Sequence, residues 1–195
     1  MHQHLDAQRE RAPIEGARTS RKGFNELYDH YFPRVYAYVA SRVSSTQDAE
    51  DLVSEVFLKA FGSLDRFADR GPGSFAAWRF RIAHNLVGDF WRKQHPESSL
   101  EAIAKHPGGE ELTESVVLRD ERGRYLRQLV RSLSPRQQEV ITLRFFGGLR
   151  NREIAAVLRL DERTVASHLC RGLDELHRRY SLELASTESE DDVNA

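Results

Sequence analysis

LSPRQQEVITLRFFGGLRNREIAAVLRLDERTVASHLCRGLDELHRRY, the segment Leu133–Tyr180, decides the fold of the second half of the chain. Its motif Ser134-Pro135-Arg136-Gln137 predicts a helix start: Ser caps, Pro suits the first helical position, and Gln reaches back to the cap. Gly147-Gly148 predicts the end of that helix, because Gly adopts the left-handed conformation at little cost. A short helix is expected around residues 151–159, and Asp161 is placed to cap a third.

Two short helices joined by a turn of about three residues make a helix-turn-helix, whose second helix can enter the major groove of DNA. Helical spacing assigns the third helix an apolar stripe: Val165, Leu169, Leu173, Leu176 and Tyr180. Polar side chains off this stripe are predicted to face DNA: Arg163, Thr164, Ser167, His168 and Arg171.

The same pattern also occurs in helical bundles that bind no DNA, and the charge of this helix does not decide between them. Residues 161–180 contain four Arg and four Asp or Glu, so their net charge is zero. Phosphate contacts dominate the affinity of autonomous DNA-binding modules. If this module reads DNA, another interaction must supply much of the binding energy.

The composition indicates a protein that is folded at least in part, and the absence of a persistent β-alternating segment predicts that it is all-helical. We expect no cofactor and no metal site. The chain has 195 residues and a formal net charge of −1, with 30% charged and 39% hydrophobic residues. Its single cysteine, Cys170, excludes an internal disulfide and a cysteine-based zinc site. No apolar run approaches the ~18 residues of a membrane span, and no signal peptide is evident. The cytoplasm is the expected compartment.

The first half predicts two amphipathic helices before its basic segment. Residues 24–43 carry aromatic and apolar side chains at helical spacing, and Pro33 is expected to kink or divide that helix. Residues 45–61 show the cleanest helical pattern, and Ser45-Thr46-Gln47-Asp48 at their start offers a helix cap. Their predicted buried positions are Ala49, Leu52, Val53, Val56, Phe57, Ala60 and Phe61.

The opposite face of this second helix carries Asp48, Asp51, Glu55 and, unexpectedly, Leu58. One interpretation is a solvated face with one stray leucine, which composition alone favours. The other is a protein-docking surface, in which an acidic rim surrounds an apolar centre.

A loop at residues 66–74 precedes a third helix, residues 75–93, whose surroundings are basic. Residues 76–95 contain four Arg or Lys and one Asp, interleaved with aromatic residues, a composition that suits unpaired nucleic-acid bases. The alternative is that the aromatic residues are core, which we expect for Trp78 and Phe90 and leave open for Trp91. The predicted inward positions are Phe75, Trp78, Ile82, Leu86 and Phe90; the polar flank is Arg81, His84, Asn85, Gly88 and Arg92.

We expect two small helical domains joined by a flexible linker. The boundaries follow shifts in composition and periodicity: a flexible arm at 1–22, a first domain at 23–94, a linker at 95–114, a second domain at 115–181 and an acidic disordered tail at 182–195. Some eighteen extended linker residues span ~60 Å, more than one turn of duplex at about 34–36 Å.

Together the two halves resemble a bacterial RNA polymerase sigma factor of the extracytoplasmic-function (ECF) group of the sigma-70 family. DAEDLVSEVFLKAF (Asp48–Phe61) is similar to the family's polymerase-binding helix, and FAAWRFRIAHNLVGDFWRK (Phe75–Lys93) to its minus-ten helix. LSPRQQEVITLRFFGGLRNREIAAVL is similar to the fourth sigma region, and TVASHL lies at its recognition helix.

The resemblance implies a sigma region 2 bundle, a sigma region 4 helix-turn-helix, and a subunit that directs core RNA polymerase to promoters and assists melting. The implied dock for the clamp of the largest polymerase subunit is Asp48, Asp51, Glu55 and Leu58, with the flap of the second largest subunit as a further contact. The implied minus-ten residues are Arg81, His84, Asn85, Asp89, Arg92 and Lys93; the minus-thirty-five residues are Arg163, Thr164, Ser167, His168 and Arg171. Promoter DNA and, in many members, an anti-sigma factor are the other implied partners, with no small-molecule substrate.

Three positions depart from the family pattern. Ala166 and His168 stand where the recognition helix usually carries basic residues, and Arg159 stands at a turn position often held by Gly. Arg159 is expected either to strain the turn or to add a phosphate contact. These departures leave the minus-thirty-five sequence undefined.

Two other classes of function compete with this interpretation. A dimeric repressor or activator could use residues 133–180 without being a polymerase subunit. Catalysis by His84, Asp89 and His95 is not expected, because the first two are five residues apart on one helix and no Cys/His cluster supports them.

Overall fold

The computed structural model of the chain describes residues 14–94 and 121–191, including side chains except at 121–124, 127 and 183–191. All regular elements in these two ranges are helical, as the sequence predicts. The first body, residues 14–94, contains α1 (residues 14–19), α2 (Arg21–Ala40), α3 (Thr46–Gly62), a 3-10 turn (Leu64–Arg66) and α4 (Ser74–Gln94). The second body, residues 121–191, contains α5 (Glu121–Arg131), α6 (Pro135–Phe145), α7 (Asn151–Leu158) and α8 (Glu162–Asp191).

In the first body, α2, α3 and α4 pack around a core of aliphatic and aromatic side chains. Helix α2 is not divided at Pro33. Tyr31 and Val35, on either side of the proline, are 2% and 0% exposed, and their burial offsets the backbone hydrogen bond that proline removes. Ser45 caps α3 as predicted, accepting a hydrogen bond from the Asp48 amide at 3.3 Å.

Residues 14–19 form a helix, although they were predicted to lie in a flexible arm. Ile14 and Ala17 are buried, and the Arg18 guanidinium donates to the carbonyl oxygens of Leu64 and Phe67 at 3.2 and 2.6 Å. These contacts come from distant parts of the chain, so local periodicity did not indicate them. The remainder of the predicted arm, residues 1–13, lies outside the described residues.

The second body begins and ends its helices where the sequence indicates. The Ser134 amide donates to Gln137 Oε1 at 3.0 Å, and Gly148, at φ +68°, follows the end of α6. The predicted stripe of α8 is only partly buried: Val165 is 0% exposed, whereas Leu173 is 39% exposed. Gly172 is buried against α6 instead: a Cβ there would lie 2.7 Å from Ile141 Cδ1, so a larger residue would require the end of that side chain to move.

Helix α8 continues through the acidic segment that was predicted to be disordered. Its backbone is helical as far as Asp191. Extending an existing helix fixes one residue for each hydrogen bond gained and avoids the cost of nucleation, so even an acidic segment can continue it.

The two bodies share one continuous core, which the prediction of tethered domains did not include. Helix α7 packs along α4, and buried side chains of α6 and α7 join the same apolar cluster as those of α2 to α4. The predicted linker, residues 95–114, lies outside the described ranges. Across those ranges, every helix is too short or too polar to cross a bilayer.

Candidate nucleic-acid and polymerase interfaces

The outward face of α3 combines acidic residues with exposed apolar side chains. Asp51 and Glu55 are exposed, and Leu58 is 72% exposed. Glu55 pairs with Lys59 at 2.9 Å. Phe61, predicted to be buried, is 55% exposed, and its ring packs against Phe24 at the edge of the core, with ring centroids 4.7 Å apart. Leu58 and Phe61 lie three residues apart on one helix face, so the apolar part of this surface is larger than predicted.

Helix α4 carries the predicted minus-ten residues in two environments. Asn85, Arg92 and Lys93 are exposed, and Asp89 forms an ion pair with Arg92. Arg81 and His84 are half-buried against the second body. The predicted residues therefore share one helix, but only the part of it from Asn85 onward is open to solvent.

Arg81 binds the end of α7. Its Nη2 donates to the carbonyl oxygen of Ala156 at 2.5 Å, and its Nε is buried without a hydrogen-bond partner. The Ala156 carbonyl is among the last four of α7, which have no partner within the helix. A guanidinium at this position also suits the negative end of the helix dipole.

His84 lies between the two bodies. Its Nδ1 is 3.3 Å from the Tyr38 hydroxyl and 3.8 Å from Glu139 Oε1. Burial lowers the pKa of His84 below its ordinary value, and the Glu139 carboxylate raises it in partial compensation. Glu139 is itself only 12% exposed and pairs with Arg136 at 2.8 Å. A histidine with a lowered pKa and a mostly buried carboxylate therefore meet at this contact.

The buried and partly exposed aromatic residues of α4 are not the ones that the sequence predicted. Trp91, left open by the sequence, is core: it is 4% exposed and its Nε1 donates to the Arg42 carbonyl oxygen at 3.0 Å. Trp78 and Phe90, expected to be core, are only partly buried. Trp78 lies at the core's edge, 5.0 Å from Phe67 between ring centroids. Trp78 and Phe90 are thus the aromatics of α4 that a base could reach.

Arg79 contributes less to the basic surface than its charge suggests. It is 1% exposed, and its guanidinium carbon lies 3.2 Å from the centroid of the Tyr31 ring. Contacts of this kind hold a cation against an aromatic face. The basic character predicted for residues 76–95 therefore comes mainly from Arg92 and Lys93.

The loop before α4 is fixed by one carboxylate. Asp69 Oδ1 accepts from the Gly71 amide and from the Ser74 hydroxyl, both at 2.9 Å. Gly71 and Gly73 have φ angles of +102° and +76°, which side chains rarely tolerate. The loop thus enters α4 in a defined conformation.

The start of α8 presents the predicted minus-thirty-five residues. Asp161 caps the helix, accepting from the Thr164 amide at 2.8 Å and its hydroxyl at 2.5 Å, and these bonds lower the pKa of Asp161. Arg163 and Arg171 are exposed. Arg171 donates to the Ser167 hydroxyl at 2.6 Å.

The other polar side chains of this face, Thr164, Ser167 and His168, are half-buried. Burial, together with Arg171 and Arg136, lowers the pKa of His168, so it is neutral near pH 7. The structure brings these residues to one end of one helix, with Arg163 and Arg171 as its two exposed cations.

The turn between α7 and α8 contains a left-handed arginine. Arg159 has φ +56° and ψ +45°, the one non-glycine residue with positive φ in the described ranges. The Leu160 amide donates to the Ala155 carbonyl oxygen at 3.0 Å and closes the turn. Left-handed backbone costs a non-glycine residue about 1–2 kcal/mol, so the turn carries strain as the sequence suggested.

The residues considered for catalysis have other contacts. His84 meets Tyr38 and Glu139, Asp89 pairs with Arg92, and His95 lies outside the described residues. Where the structure describes the chain, no group of three His, Cys, Asp or Glu is arranged to hold a metal ion. Cys170 is exposed, with its Sγ 3.6 Å from Asp174 Oδ2.

Two family models match the chain in order. The sigma-70 region 2 model matches residues 27–97, and the sigma-70 region 4 model matches residues 123–176. The ECF RNA polymerase sigma-E factor of Escherichia coli K12 is 32% identical over 169 residues, covering 82% of this chain and 87% of that protein. The ECF RNA polymerase sigma factor BldN of Streptomyces coelicolor is 36% identical over 157 residues; the match covers 80% of this chain but only 59% of BldN.

Two solved structures share the fold at 23% identity. CnrH in complex with the cytosolic domain of CnrY gives a TM-score of 0.62 and covers 87% of this chain and 95% of its own. The sigma factor RpoE in complex with the anti-sigma factor NepR, from Bartonella quintana, gives a TM-score of 0.65 and covers 80% and 96%.

Proposed function

The chain belongs to the ECF sigma factors of the sigma-70 family, and we propose that it directs core RNA polymerase to promoters through three separate surfaces. The observation that carries this proposal is the order of the two matched regions, each with its own candidate DNA helix. Helix α4 lies in the region 2 match and the start of α8 in the region 4 match. A sigma factor needs both, because it reads two promoter elements.

The outward face of α3 is the proposed polymerase dock. Leu58 and Phe61 provide exposed apolar area, and Asp51 and Glu55 provide an acidic rim. This arrangement matches the anatomy of protein interfaces, which have an apolar centre and a polar edge. The partner surface we infer, on the clamp of the largest subunit, is correspondingly apolar with basic surroundings. Asp48 lies at the start of the same helix and completes the proposed set.

Helix α4 is the proposed minus-ten reader, through Arg81, His84, Asn85, Asp89, Arg92 and Lys93. Asn85 is exposed and can hydrogen-bond the edge of an extruded base. Extrusion costs a few kcal/mol, so a protein that binds the extruded base favours the melted strand. Arg92 and Lys93 supply positive charge for the phosphates beside it.

The start of α8 is the proposed minus-thirty-five reader, through Arg163, Thr164, Ser167, His168 and Arg171. The helix-turn-helix arrangement of α7 and α8 supports a docking mode in which the first turns of α8 enter the major groove. Only two of these side chains are exposed cations, so the contact is weak by itself and depends on the polymerase for affinity.

The related proteins are sigma factors, which are not enzymes themselves, and we propose no catalytic activity for this chain. The family match favours the polymerase subunit over an independent dimeric regulator. A further proposed contact is the flap of the second largest subunit, and the cytoplasm is the proposed compartment. The Bartonella quintana neighbour is bound to an anti-sigma factor, and we propose that a partner of this class regulates the present chain.

The decisive experiment is promoter-dependent transcription with purified core polymerase and Leu58→Asp. Leu58 is 72% exposed, so the substitution leaves the fold intact but places a charge in the centre of the dock. We expect loss of core binding in a pull-down and loss of transcript. The matched control is Leu182→Asp on α8, where the leucine is 61% exposed and outside the dock. Normal core binding by Leu58→Asp would show that the dock is elsewhere.

A further inference from the structure

The short helix α1 is fastened to the first body by apolar burial and by one arginine. Ile14 and Ala17 are buried in the core of that body. Arg18 Nη2 donates to the carbonyl oxygens of Leu64 and Phe67, at 3.2 and 2.6 Å. Phe67 directly follows the 3-10 turn, so Arg18 binds the backbone where the loop before α4 begins. Hydrogen bonds from a charged donor are stronger than neutral ones, so this is a firm attachment.

A tight corner between α1 and α2 determines where Arg18 lies. A Cβ built on Gly23 would lie 2.2 Å from the carbonyl carbon of Gly16, so α1 can rest against the start of α2 only because residue 23 is glycine. The Ser20 amide donates to the Gly16 carbonyl oxygen at 2.9 Å, and the Ser20 hydroxyl accepts from the Gly23 amide at 3.1 Å. These contacts fix the direction in which α1 packs back onto the body.

The loop that Arg18 binds at its start is held by α4 at its end. The Phe67 ring packs on α4, with its centroid 5.0 Å from that of Trp78. Asp69 Oδ1 accepts from the hydroxyl of Ser74, the first residue of α4, at 2.9 Å. The Arg18 contact therefore acts, through Phe67, on the part of α4 where Trp78 is only partly buried.

Trp78 lies on the helix face that is proposed to read the extruded base. Trp78 and Asn85 are seven residues apart, close to two turns of helix, so they share one face of α4 about 10 Å apart. Single-stranded sites of several nucleotides are longer than this distance. A minus-ten strand that contacts Asn85 and continues along this face meets Trp78 and the loop before α4.

We propose that Arg18 is a positioning residue for minus-ten recognition, which holds residues 67–73 in the conformation that selects among bases. Arg18 acts through the Phe67 backbone and does not itself contact DNA. This inference rests on the proposed function of α4. A loop held in one conformation fits one base better than the others, whereas a loop that moves accepts several. Loss of Arg18 should therefore lower discrimination between bases more than it lowers affinity.

The test uses the full chain in complex with core polymerase and compares two arginines. Arg18→Met keeps a long side chain and removes its donors, and Arg18→Lys restores a charged donor. Arg21→Met is the matched control, because Arg21 is also exposed and the same charge is lost nearby. The unmodified holoenzyme first selects its minus-ten sequence from a random pool of single-stranded oligonucleotides. Each position of that sequence is then changed to the other bases, and binding is measured by fluorescence anisotropy.

We expect Arg18→Met to lower the preference for the selected base at one or more positions by about five- to tenfold, because mispositioning loses roughly one hydrogen bond to that base. Arg18→Lys should recover part of the preference, and Arg21→Met should keep all of it. Core binding and duplex minus-thirty-five binding should not change. Hydrogen exchange at the amides of residues 67–73 should be faster in Arg18→Met alone. Unchanged base preference, or an equal loss of affinity for every base, overturns the positioning role.

A second variant displaces Arg18 without removing it. Gly23→Ala places a Cβ against the backbone of Gly16 and so moves α1. Gly62→Ala is its control, because a Cβ there meets nothing within 4 Å. Gly23→Ala should lower base preference as Arg18→Met does, while Gly62→Ala should not. If the unmodified holoenzyme yields no promoter-dependent transcript, the proposed function fails. If it transcribes and both variants select bases as it does, only the positioning role fails.

Discussion

The two proposed DNA-reading helices differ in how the fold holds them. Helix α4 is surrounded: Phe80, Ala83 and Trp91 are buried, and Arg81 and His84 are covered by the second body. The start of α8 is capped by Asp161 and anchored by the buried Val165. Its two arginines, Arg163 and Arg171, are exposed. Burial holds α4 in a fixed position but restricts its access to DNA. The start of α8 remains more accessible and is stabilised less by packing.

This difference has a physical rationale in what each helix is proposed to bind. Holding an extruded base requires side chains placed within a fraction of an ångström, which a rigid, packed helix provides. Contact with duplex DNA relies on shape and charge, which an exposed helix end can supply. Embedding α4 also has a cost, because Arg81 and His84 contact α7 and α6 and are less exposed than Asn85.

The largest expected effect comes from a substitution that disrupts the packing of α4. Trp91→Ala removes a side chain that is 4% exposed and leaves the Arg42 carbonyl without its donor, so we expect a loss of about 3–5 kcal/mol in the free energy of unfolding. Urea denaturation followed by circular dichroism measures it. Trp78→Ala on the same helix is the matched control, because Trp78 is only partly buried and should cost less. Equal losses would contradict the assignment of Trp91 as the internal anchor.

The next effect distinguishes the two helices by the promoter element that each is proposed to bind. Asn85→Ala should weaken binding of the holoenzyme to the single-stranded minus-ten element by about 1–3 kcal/mol, because an exposed amide that reads a base is lost. Binding to the duplex minus-thirty-five element should not change. Arg171→Ala should show the reverse pattern, since Arg171 is exposed on α8. Fluorescence anisotropy with the two DNA probes measures both, and a uniform loss across probes would argue against separate readers.

The sequence predicted what is local and missed what is tertiary. Ser45, Ser134 and Asp161 cap helices as expected, because a cap involves only neighbouring residues. The contact of Arg81 with Ala156 was not foreseen, because helical periodicity identifies a polar flank but not the element that covers it. Arg79 was counted as surface charge, since its partner, Tyr31, lies 48 residues away on another helix.

Phe61 shows a second limit of prediction from periodicity, because it was predicted to be buried and is exposed. It fits the apolar pattern of α3 but is 55% exposed, although Ala60 before it and Leu64 after it are buried. A pattern shows which residues share a face and not how far the neighbouring helices extend over it. The helices and their order were therefore predictable, and the edges of each packed face were not.

A smaller effect concerns the turn that leads into α8. Arg159→Gly should raise the free energy of unfolding by up to about 1 kcal/mol, because glycine adopts φ +56° without strain. Arg159→Lys keeps the strain and should leave stability unchanged. If Arg159 also contacts a phosphate, the glycine variant should bind duplex minus-thirty-five DNA more weakly while the lysine variant retains affinity. No gain in thermal stability for the glycine variant would argue that the turn is not strained.

The smallest expected effect is a change in the pKa of His84, which lies at the contact between the two bodies. Glu139 raises the pKa of His84, whereas burial and nearby arginines lower it, the arginines being Arg42, Arg136 and Arg92. Glu139→Gln should therefore lower the pKa of His84 further, as measured by NMR titration of its imidazole. Glu175→Gln is the matched control, because Glu175 pairs only with arginines of α8 among its described ion-pair partners and should leave His84 unchanged.

The sign of the pH dependence follows from the same shift. Because the pKa of His84 is lowered in the folded chain, the unfolded chain binds the proton more readily. The contribution of this contact to stability is fully present above the ordinary histidine pKa of about 6.5 and is lost as the pH falls through that value toward the lowered one. The free energy of unfolding, measured by urea denaturation, should accordingly decrease on acidification, and an increase would mean that protonated His84 pairs with Glu139 strongly enough to outweigh its burial.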